Sequence, residues 1–216
     1  MATTTASESK ELQGRKLPSS LENPIDDALI HMAELLNPAF YRLGMTANQI
    51  TMLSAIFGFT SVYFLHNSNY TFGGIFIMVS YFFDCMDGNY ARTYKMVSRY
   101  GDYLDHIKDV SVMILLIIVV LFHQHISVLA KCIFFIGLGG FLLGSSIYLG
   151  CQERYYHSVK GKSVYHEHSE TLTHFRKLCK DDPEKKLRLY RWLGTGSLHV
   201  FLLAFFVLLP KYIHHK

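Results

Sequence analysis

The chain has 216 residues, of which 50% are hydrophobic and 18% are charged, and its formal net charge is +4. This length predicts one domain, and the apolar share with a positive mean hydropathy favours a membrane protein. The net charge is modest, and we expect no nucleic-acid partner. Four cysteines without paired spacing argue against a zinc site or a disulfide framework and favour apolar packing.

Residues 1–22 are polar and rich in Ser and Thr, without the apolar core of a secretory signal peptide. We expect a disordered tail there. In residues 23–43, Asn23 precedes Pro24 as a helix cap would, and an apolar stripe follows. This stretch carries too much charge to span a bilayer, so it predicts an amphipathic helix in the membrane interface, broken or kinked at Pro38. A packing helix of a soluble region is the alternative.

Five further apolar runs are long enough to span a bilayer, whose hydrocarbon core requires about 20 helical residues. They are residues 49–66, 71–91, 102–122, 126–150 and 193–209. Residues 151–191 are basic and predict a solvated loop with short helices near 170–179 and 183–190. The predicted fold class is all-α: residues 23–216 form a single polytopic integral membrane helix bundle that includes the interfacial helix. Whether a sixth transmembrane span exists is left open by the sequence.

Basic residues cluster in the N-terminal segment, in the turn 92–99 and in residues 151–191. The loops 67–69 and 123–125 carry no Lys or Arg. The positive-inside rule therefore predicts that the basic segments face the cytosol. We expect a multi-pass membrane protein with its site at the cytosolic face, in an ER-like endomembrane if the source is eukaryotic.

Carboxylates interrupt two of the apolar runs. Asp84 and Asp87 lie three residues apart, and Asp105 and Asp109 lie four apart, so each pair shares one helix face. An ionised group in hydrocarbon costs a few kcal/mol or more, so it indicates a functional site by default. If the polar stretch between the pairs is a turn, the two acidic faces meet. Their repulsion would then require hard divalent cations with oxygen ligands, Mg²⁺ or Mn²⁺.

The whole stretch 84–109 reads DCMDGNYARTYKMVSRYGDYLDHIKD. Its fixed positions resemble, without a departure, the signature of the CDP-alcohol phosphotransferase family. These positions are Asp84, Asp87, Gly88, Ala91, Arg92, Gly101, Asp105 and Asp109. Upstream the family usually has Pro-Asn, where this chain has Ala47-Asn48. The resemblance implies metal-dependent transfer of a substituted phosphoryl group from a CDP-alcohol to an acceptor alcohol, with release of CMP, in phospholipid biosynthesis.

The resemblance also implies roles for individual residues. It implies Mg²⁺ or Mn²⁺, about two ions, as in two-metal sites generally. The metal ligands would be Asp84, Asp87, Asp105 and Asp109, with Asp109 as a ligand, the general base or both. The nucleotide and phosphate contacts would be Asn48, Thr51, Gly88, Ala91, Arg92 and Gly101. The partners implied are a CDP-alcohol, an alcohol or lipid acceptor, the bilayer and a second copy of the chain in a homodimer.

Two substrate arrangements stay open at this point. CDP-choline or CDP-ethanolamine would donate to diacylglycerol, which the Asp105-His106 pair slightly favours. CDP-diacylglycerol would instead donate to a polar alcohol such as inositol, serine or glycerol phosphate, which the short chain favours. From a different class, a divalent-cation transporter would explain acids within spans, but not Gly88, Ala91 and Arg92. A catalytically inactive scaffold is disfavoured because every acid of the signature is present.

Overall fold

Helices make up most of the computed structural model, which describes residues 14–160, 173–179 and 181–212. The helices are α1 (Pro24–Arg42), α2 (Ala47–His66), α3 (Tyr70–Thr93), α4 (Arg99–Phe122), α5 (Val128–Lys160), α6 (Thr173–Leu178), α7 (Pro183–Tyr190) and α8 (Thr195–Leu208). Short 3-10 turns follow α7 and α8, at Arg191–Leu193 and Leu209–Tyr212. No strand occurs in the described ranges, and the predicted all-α membrane fold is confirmed.

Two helices differ from the sequence-based expectation. The sequence predicts a break or a kink at Pro38; helix α1 continues through that residue, so the break is wrong, and the kink stays a prediction. The preceding residue, Asn37, is buried and donates from Nδ2 to Asn89 Oδ1 at 2.7 Å, which anchors the helix at the point where proline removes a backbone hydrogen bond. Helix α5 runs past the predicted end at residue 150 to Lys160. Cys151, at the start of this extension, is buried.

Among the residues that the structure describes, two helical stretches are long and apolar enough to cross a membrane when judged by length and composition alone. They are Val128–Tyr156, with a mean hydropathy of 2.0, and Pro183–Leu208, with a mean hydropathy of 1.5. Helices α2, α3 and α4 have 20, 24 and 24 residues, enough for the roughly 20 that a hydrocarbon core requires. These three helices lie outside the two stretches named above, and the count of five spans remains a prediction.

Backbone contacts divide the chain into two compact units. The first comprises Met1–Ala28 and Gly139–Leu198, and the second comprises Leu29–Leu138 and His199–Lys216. The core of the first unit is a cluster of fully buried side chains. These are Leu17, Leu21, Tyr148, Cys151, Cys179 and Leu187. The expectation of a disordered tail over residues 1–22 is therefore wrong for residues 14–22, because two apolar side chains of that segment complete this core. Residues 1–13 lie outside the described ranges.

Polar contacts fix the N-terminal segment within the first unit. The buried Tyr148 hydroxyl donates to Glu22 Oε1 at 2.8 Å and accepts from the Asn23 backbone N–H at 3.0 Å. Asn23 Oδ1 in turn accepts from the Ile25 backbone N–H at 2.9 Å, which confirms the predicted cap of α1. Arg15 is buried and forms an ion pair with Asp27 at 2.6 Å.

A disulfide joins Cys151 of α5 to Cys179, which follows α6. Both residues are fully buried in the first unit. The expectation of unpaired cysteines is wrong for this pair, because the fold brings together residues separated by 28 positions. Cys85 and Cys132 are outside this disulfide.

In the second unit, α2 and α3 form an antiparallel hairpin. The Ser54 hydroxyl donates to the Ser80 carbonyl oxygen at 2.9 Å, and the Ser61 hydroxyl donates to the Gly73 carbonyl oxygen at 2.7 Å. Helix α4 approaches the same hairpin closely at Gly58, where a Cβ atom would lie 2.8 Å from a methyl group of Val112. These contacts set the register of the helices that carry the predicted site.

Candidate active site

The acidic pairs lie on adjacent helices joined by a short turn. Asp84 and Asp87 are in the C-terminal half of α3, and Asp105 and Asp109 are in the first half of α4. Ser98 caps the N-terminus of α4: its side chain accepts a hydrogen bond from the Gly101 backbone N–H at 3.1 Å. The short connection between the end of α3 and the start of α4 therefore reverses the chain direction, and the two acidic helix faces meet.

Three of the carboxylates converge. Asp84, Asp105 and Asp109 each offer one oxygen, and these oxygens all lie within 4.8 Å of one another. The Asp109 side chain is 54% exposed, whereas those of Asp84 and Asp105 are more enclosed. Carboxylate oxygens at this spacing match the ligand set of a hard divalent cation.

Asp87 is the most buried acid of the set, at 7% exposure. Its Oδ2 has no hydrogen-bond partner among the described residues. The Thr51 hydroxyl is within reach of the Asp87 carboxylate and lies 3.2 Å from the Ala47 carbonyl oxygen. A buried carboxylate oxygen without a donor is costly unless a cation binds it. This oxygen, together with the converging acids, shows that the residues present suit a divalent cation.

Sequence reasoning missed Lys108, whose ammonium group lies within the acidic cluster. Its Nζ atom donates to Asp84 Oδ1, and lies 2.9 Å from Asp105 Oδ1 and 2.8 Å from Asp109 Oδ1. The side chain is buried, and Nζ also lies 3.2 Å from Ser54 Oγ. Two signals could have identified it: it is a charged residue within an apolar run, and it follows Asp105 at the i+3 spacing of a helical ion pair.

The predicted phosphate contacts divide into two groups in the structure. Arg92 folds back over Gly88, because a Cβ atom on Gly88 would lie 3.3 Å from Arg92 Nη1 and 3.4 Å from Nη2. Ala91, on the same helix, packs against the apolar cluster around Ile50 and Tyr90. Glycine at position 88 therefore leaves room for the guanidinium group.

The remaining predicted contacts come from α2 and the start of α4. A Cβ atom on Gly101 would lie 2.9 Å from Asn48 Oδ1 and 3.2 Å from Ser98 Oγ. Asn48 therefore lies directly against Gly101, and Thr51, one turn further along α2, lies beside Asp87. Glycine at position 101 permits this close approach of Asn48 to α4.

The fold and the site together define an all-helical membrane protein with an acidic centre between two adjacent helices. The sequence model of one family, CDP-alcohol phosphatidyltransferase, matches residues 44–158. That range is more than half of the 216 residues and contains the acidic centre. The chain belongs to the CDP-alcohol phosphatidyltransferase family, which confirms the resemblance seen in the sequence.

One curated relative is the archaetidylinositol phosphate synthase of Pyrococcus horikoshii. It is 32% identical over 76 residues, which cover 35% of this chain and 40% of the relative. The alignment thus spans less than half of either protein. No solved structure matches the chain.

Proposed function

We propose that the protein transfers a substituted phosphoryl group from a CDP-alcohol to an acceptor alcohol, with release of CMP, in phospholipid synthesis. The observation that carries this proposal is the convergence of Asp84, Asp105 and Asp109 beside the buried, unpaired oxygen of Asp87. Family membership supports the reaction class. The proposal places the reaction at this acidic centre.

We assign Asp84, Asp87, Asp105 and Asp109 to hold Mg²⁺ or Mn²⁺, with two ions as the prediction from the sequence. Bound there, divalent cations would neutralise the diphosphate and stabilise the charge that develops on the attacking and leaving oxygens. Among the described residues, three of the four carboxylates form ion pairs with the ammonium group of Lys108, and one positive charge compensates only part of their negative charge.

The acceptor hydroxyl oxygen forms the new bond to phosphorus, and the bond from phosphorus to the CMP oxygen breaks with its electron pair. We assign the acceptor's proton to the carboxylate of Asp109, which also supplies a ligand oxygen. This role suits the exposure of Asp109, because a general base must reach the substrate. Proton transfer to a positioned carboxylate keeps the hydroxyl from becoming a cationic leaving group.

The nucleotide and its phosphates would bind beside the acids. Arg92 would hold a phosphate by two parallel N–H···O bonds, for which its guanidinium group is suited, and Gly88 keeps the helix surface low enough for that. Asn48, Thr51 and Gly101 would line the nucleotide side. We also assign Ala91 to the nucleotide site, where its small side chain keeps the helix surface next to Arg92 flat.

Two observations bear on the substrates, and they favour different arrangements. The Asp105-His106 pair slightly favours CDP-choline or CDP-ethanolamine as donor and diacylglycerol as acceptor. The relative named archaetidylinositol phosphate synthase favours the other arrangement, in which CDP-diacylglycerol donates to a polar alcohol such as inositol, serine or glycerol phosphate. This second arrangement is our second candidate, and a single assay separates the two.

We further propose a multi-pass arrangement with the acidic centre at the cytosolic face, in an ER-like membrane if the source is eukaryotic, and a homodimer. The charge pattern supports the orientation, because the short loops 67–69 and 123–125 carry no Lys or Arg. Helix α1 supports contact with the membrane interface, because its apolar residues Met32 and Leu35 are exposed.

The proposal is tested by assaying the full chain, purified in detergent, for CMP release with Mn²⁺ or Mg²⁺. Labelled CDP-choline, CDP-ethanolamine and CDP-diacylglycerol are each offered with a panel of acceptors. We expect Asp105→Ala and Asp109→Ala to abolish turnover, while Asp102→Ala, an exposed acid in the first turn of the same helix, retains it. Near-normal turnover in either active-site variant, or undiminished turnover with a strong chelator, would contradict the proposal.

The same assay, combined with a Mn²⁺ uptake measurement, distinguishes the transferase from the alternative of a divalent-cation transporter. A transporter would move Mn²⁺ into sealed vesicles without cleaving any CDP-alcohol. Metal-dependent CMP release without Mn²⁺ uptake therefore supports the transferase, and uptake without CMP release supports the transporter.

A further inference from the structure

The acidic centre already contains a cation that the chain itself supplies. Lys108 Nζ lies 2.8 Å from Asp109 Oδ1 and 2.9 Å from Asp105 Oδ1, and it donates to Asp84 Oδ1. The side chain of Lys108 is only 4% exposed. These are the same three acids whose oxygens converge within 4.8 Å.

A divalent ion and this ammonium group require the same space. Mg²⁺ lies about 2.0–2.1 Å from its ligand oxygens, whereas an ammonium nitrogen lies about 2.8 Å from a carboxylate oxygen. The two cations would also repel each other strongly at such short range. The three Oδ1 atoms therefore cannot bind a divalent ion closely while Lys108 Nζ stays among them.

The surroundings of Lys108 allow its ammonium group to move without leaving the site. The lysine side chain is a flexible four-carbon stem, and its ammonium group is compact. Ser54 Oγ, on α2, lies 3.2 Å from Nζ and is a neutral acceptor that the ammonium group can keep when it leaves the carboxylates. Asp87 Oδ2, which has no hydrogen-bond partner in the described part of the chain, offers an ion a ligand oxygen that Lys108 does not occupy.

We propose that Lys108 is a tethered counter-ion that competes with the divalent cation for Asp84, Asp105 and Asp109. Without metal, its ammonium group holds the three carboxylates together against their mutual repulsion. When metal binds, the ammonium group withdraws towards Ser54, so metal binding is weaker than the four acids alone would give. This inference rests on the metal site of the proposed function and assigns a new role to a residue outside the family signature.

The test measures Mn²⁺ affinity, which does not depend on turnover. The purified full chain is stripped with a chelator, and Mn²⁺ is titrated while free Mn²⁺ is followed by its electron paramagnetic resonance signal. The neutral variants are Lys108→Met and Lys108→Gln, and Lys108→Arg keeps the charge. Lys131→Met is the matched control, because Lys131 Nζ donates to the Leu121 carbonyl oxygen at 2.7 Å, outside the acidic centre.

We expect both neutral variants to bind Mn²⁺ about tenfold or more tightly than the wild type, because the competing charge is gone. Lys108→Arg and Lys131→Met should stay within about twofold of the wild type. Without metal, Lys108→Met should unfold at a lower temperature, and Mn²⁺ should raise its midpoint more than that of the wild type. If Lys108→Met does not accumulate, Lys108→Gln gives the same comparison, because its amide still donates to the carboxylates.

Equal or weaker Mn²⁺ binding by the neutral variants would overturn the inference. If the wild type nevertheless binds Mn²⁺ and releases CMP, the proposed function stands without it. If the wild type binds no Mn²⁺ at all, both the inference and the metal site of the proposed function fail.

Discussion

The hydroxyl of Ser80 donates to the Ser54 carbonyl oxygen at 2.8 Å, while the hydroxyl of Ser54 donates to the Ser80 carbonyl oxygen at 2.9 Å. Each serine is buried, and each hydroxyl satisfies a backbone carbonyl on the neighbouring helix. This exchange fixes α2 against α3 about one turn from Asp84, and it places Ser54 Oγ next to Lys108. The hairpin that supports the acidic centre is therefore held by small polar residues as well as by aromatic packing such as Phe57 on Phe83.

Replacing Ser80 with Ala should lower the stability of this hairpin without touching an acidic residue. The change removes one interhelical hydrogen bond, which in membrane proteins contributes about 0.6 kcal/mol on average. Thermal unfolding in detergent, followed by fluorescence, measures the loss. Thr60→Ala is the control, because the Thr60 hydroxyl donates only within its own helix, to the Ile56 carbonyl oxygen. An equal effect of both changes would contradict a role for the interhelical contact.

Replacing Asp87 with Asn should separate stability from metal binding. The buried carboxylate has an oxygen without a donor and lies near two other acids, so a neutral amide removes repulsion. We expect the metal-free protein to be as stable as the wild type or more stable, while Mn²⁺ affinity falls about 100-fold. Thermal unfolding and Mn²⁺ titration on the same sample check both expectations. Asp102→Asn should change neither, and a large loss of metal-free stability in Asp87→Asn would contradict the reasoning.

Gly101→Ala should impair nucleotide binding more than folding. The added Cβ atom would lie 2.9 Å from Asn48 Oδ1, and the side chain of Asn48 can shift to avoid it. We therefore expect the KM for the CDP-alcohol to rise about tenfold, with a smaller change in kcat, because a substrate-binding residue is displaced. Gly139→Ala provides the contrast, since a Cβ atom there meets nothing within 4 Å. It should leave KM unchanged and stabilise α5 slightly, as alanine does in helices.

Much of the fold follows from local patterns, and the exceptions arise from contacts that are distant in sequence. Apolar runs and caps such as Asn23 are local, so the predicted helices occur in the predicted order. Residues 14–22 look like a solvated tail because their partners, such as Tyr148, lie more than 100 positions away. The pairing of Cys151 with Cys179 likewise depends on how α5 and α6 fold back, which no spacing rule gives.

The candidate site shows the same division. Spacing alone brings Asp84, Asp105 and Asp109 to facing helix surfaces, and the structure places their oxygens together. The assignment of roles to these residues remains a prediction. For Lys108, the i+3 spacing predicts a contact with Asp105 but none with Asp109, which points about 100° away on an ideal helix. The lysine side chain is long enough to reach Asp109 all the same. The ion pair of Lys108 Nζ with Asp109 Oδ1 at 2.8 Å therefore depends on side-chain length, which spacing does not describe.

The disulfide provides a prediction for the first unit. Cys151→Ser should lower stability by about 3–4 kcal/mol, because the bond closes a loop of 28 positions in the unfolded chain and both residues are buried. Reduction of the wild type should have the same effect as the substitution, and Cys132→Ser, an exposed residue outside the bond, should have little effect. Thiol labelling of the denatured protein, before and after reduction, counts the paired cysteines. Labelling of all four cysteines without reduction would show that the pair does not form in the purified protein.

Tyr148→Phe tests whether the segment 14–22 is held in the first unit. The change removes the hydroxyl that accepts from the buried Asn23 N–H and donates to Glu22 Oε1, so a buried donor loses its partner. Such a loss costs about 1–3 kcal/mol. It should increase trypsin cleavage after Arg15 and Lys16, measured by mass spectrometry of the native protein. Tyr63→Phe, which alters an exposed tyrosine of α2, should leave that cleavage unchanged. Because Arg15 is buried beside Asp27, cleavage there requires the segment to leave the core, and rapid cleavage in the wild type would instead show that it is not packed in solution.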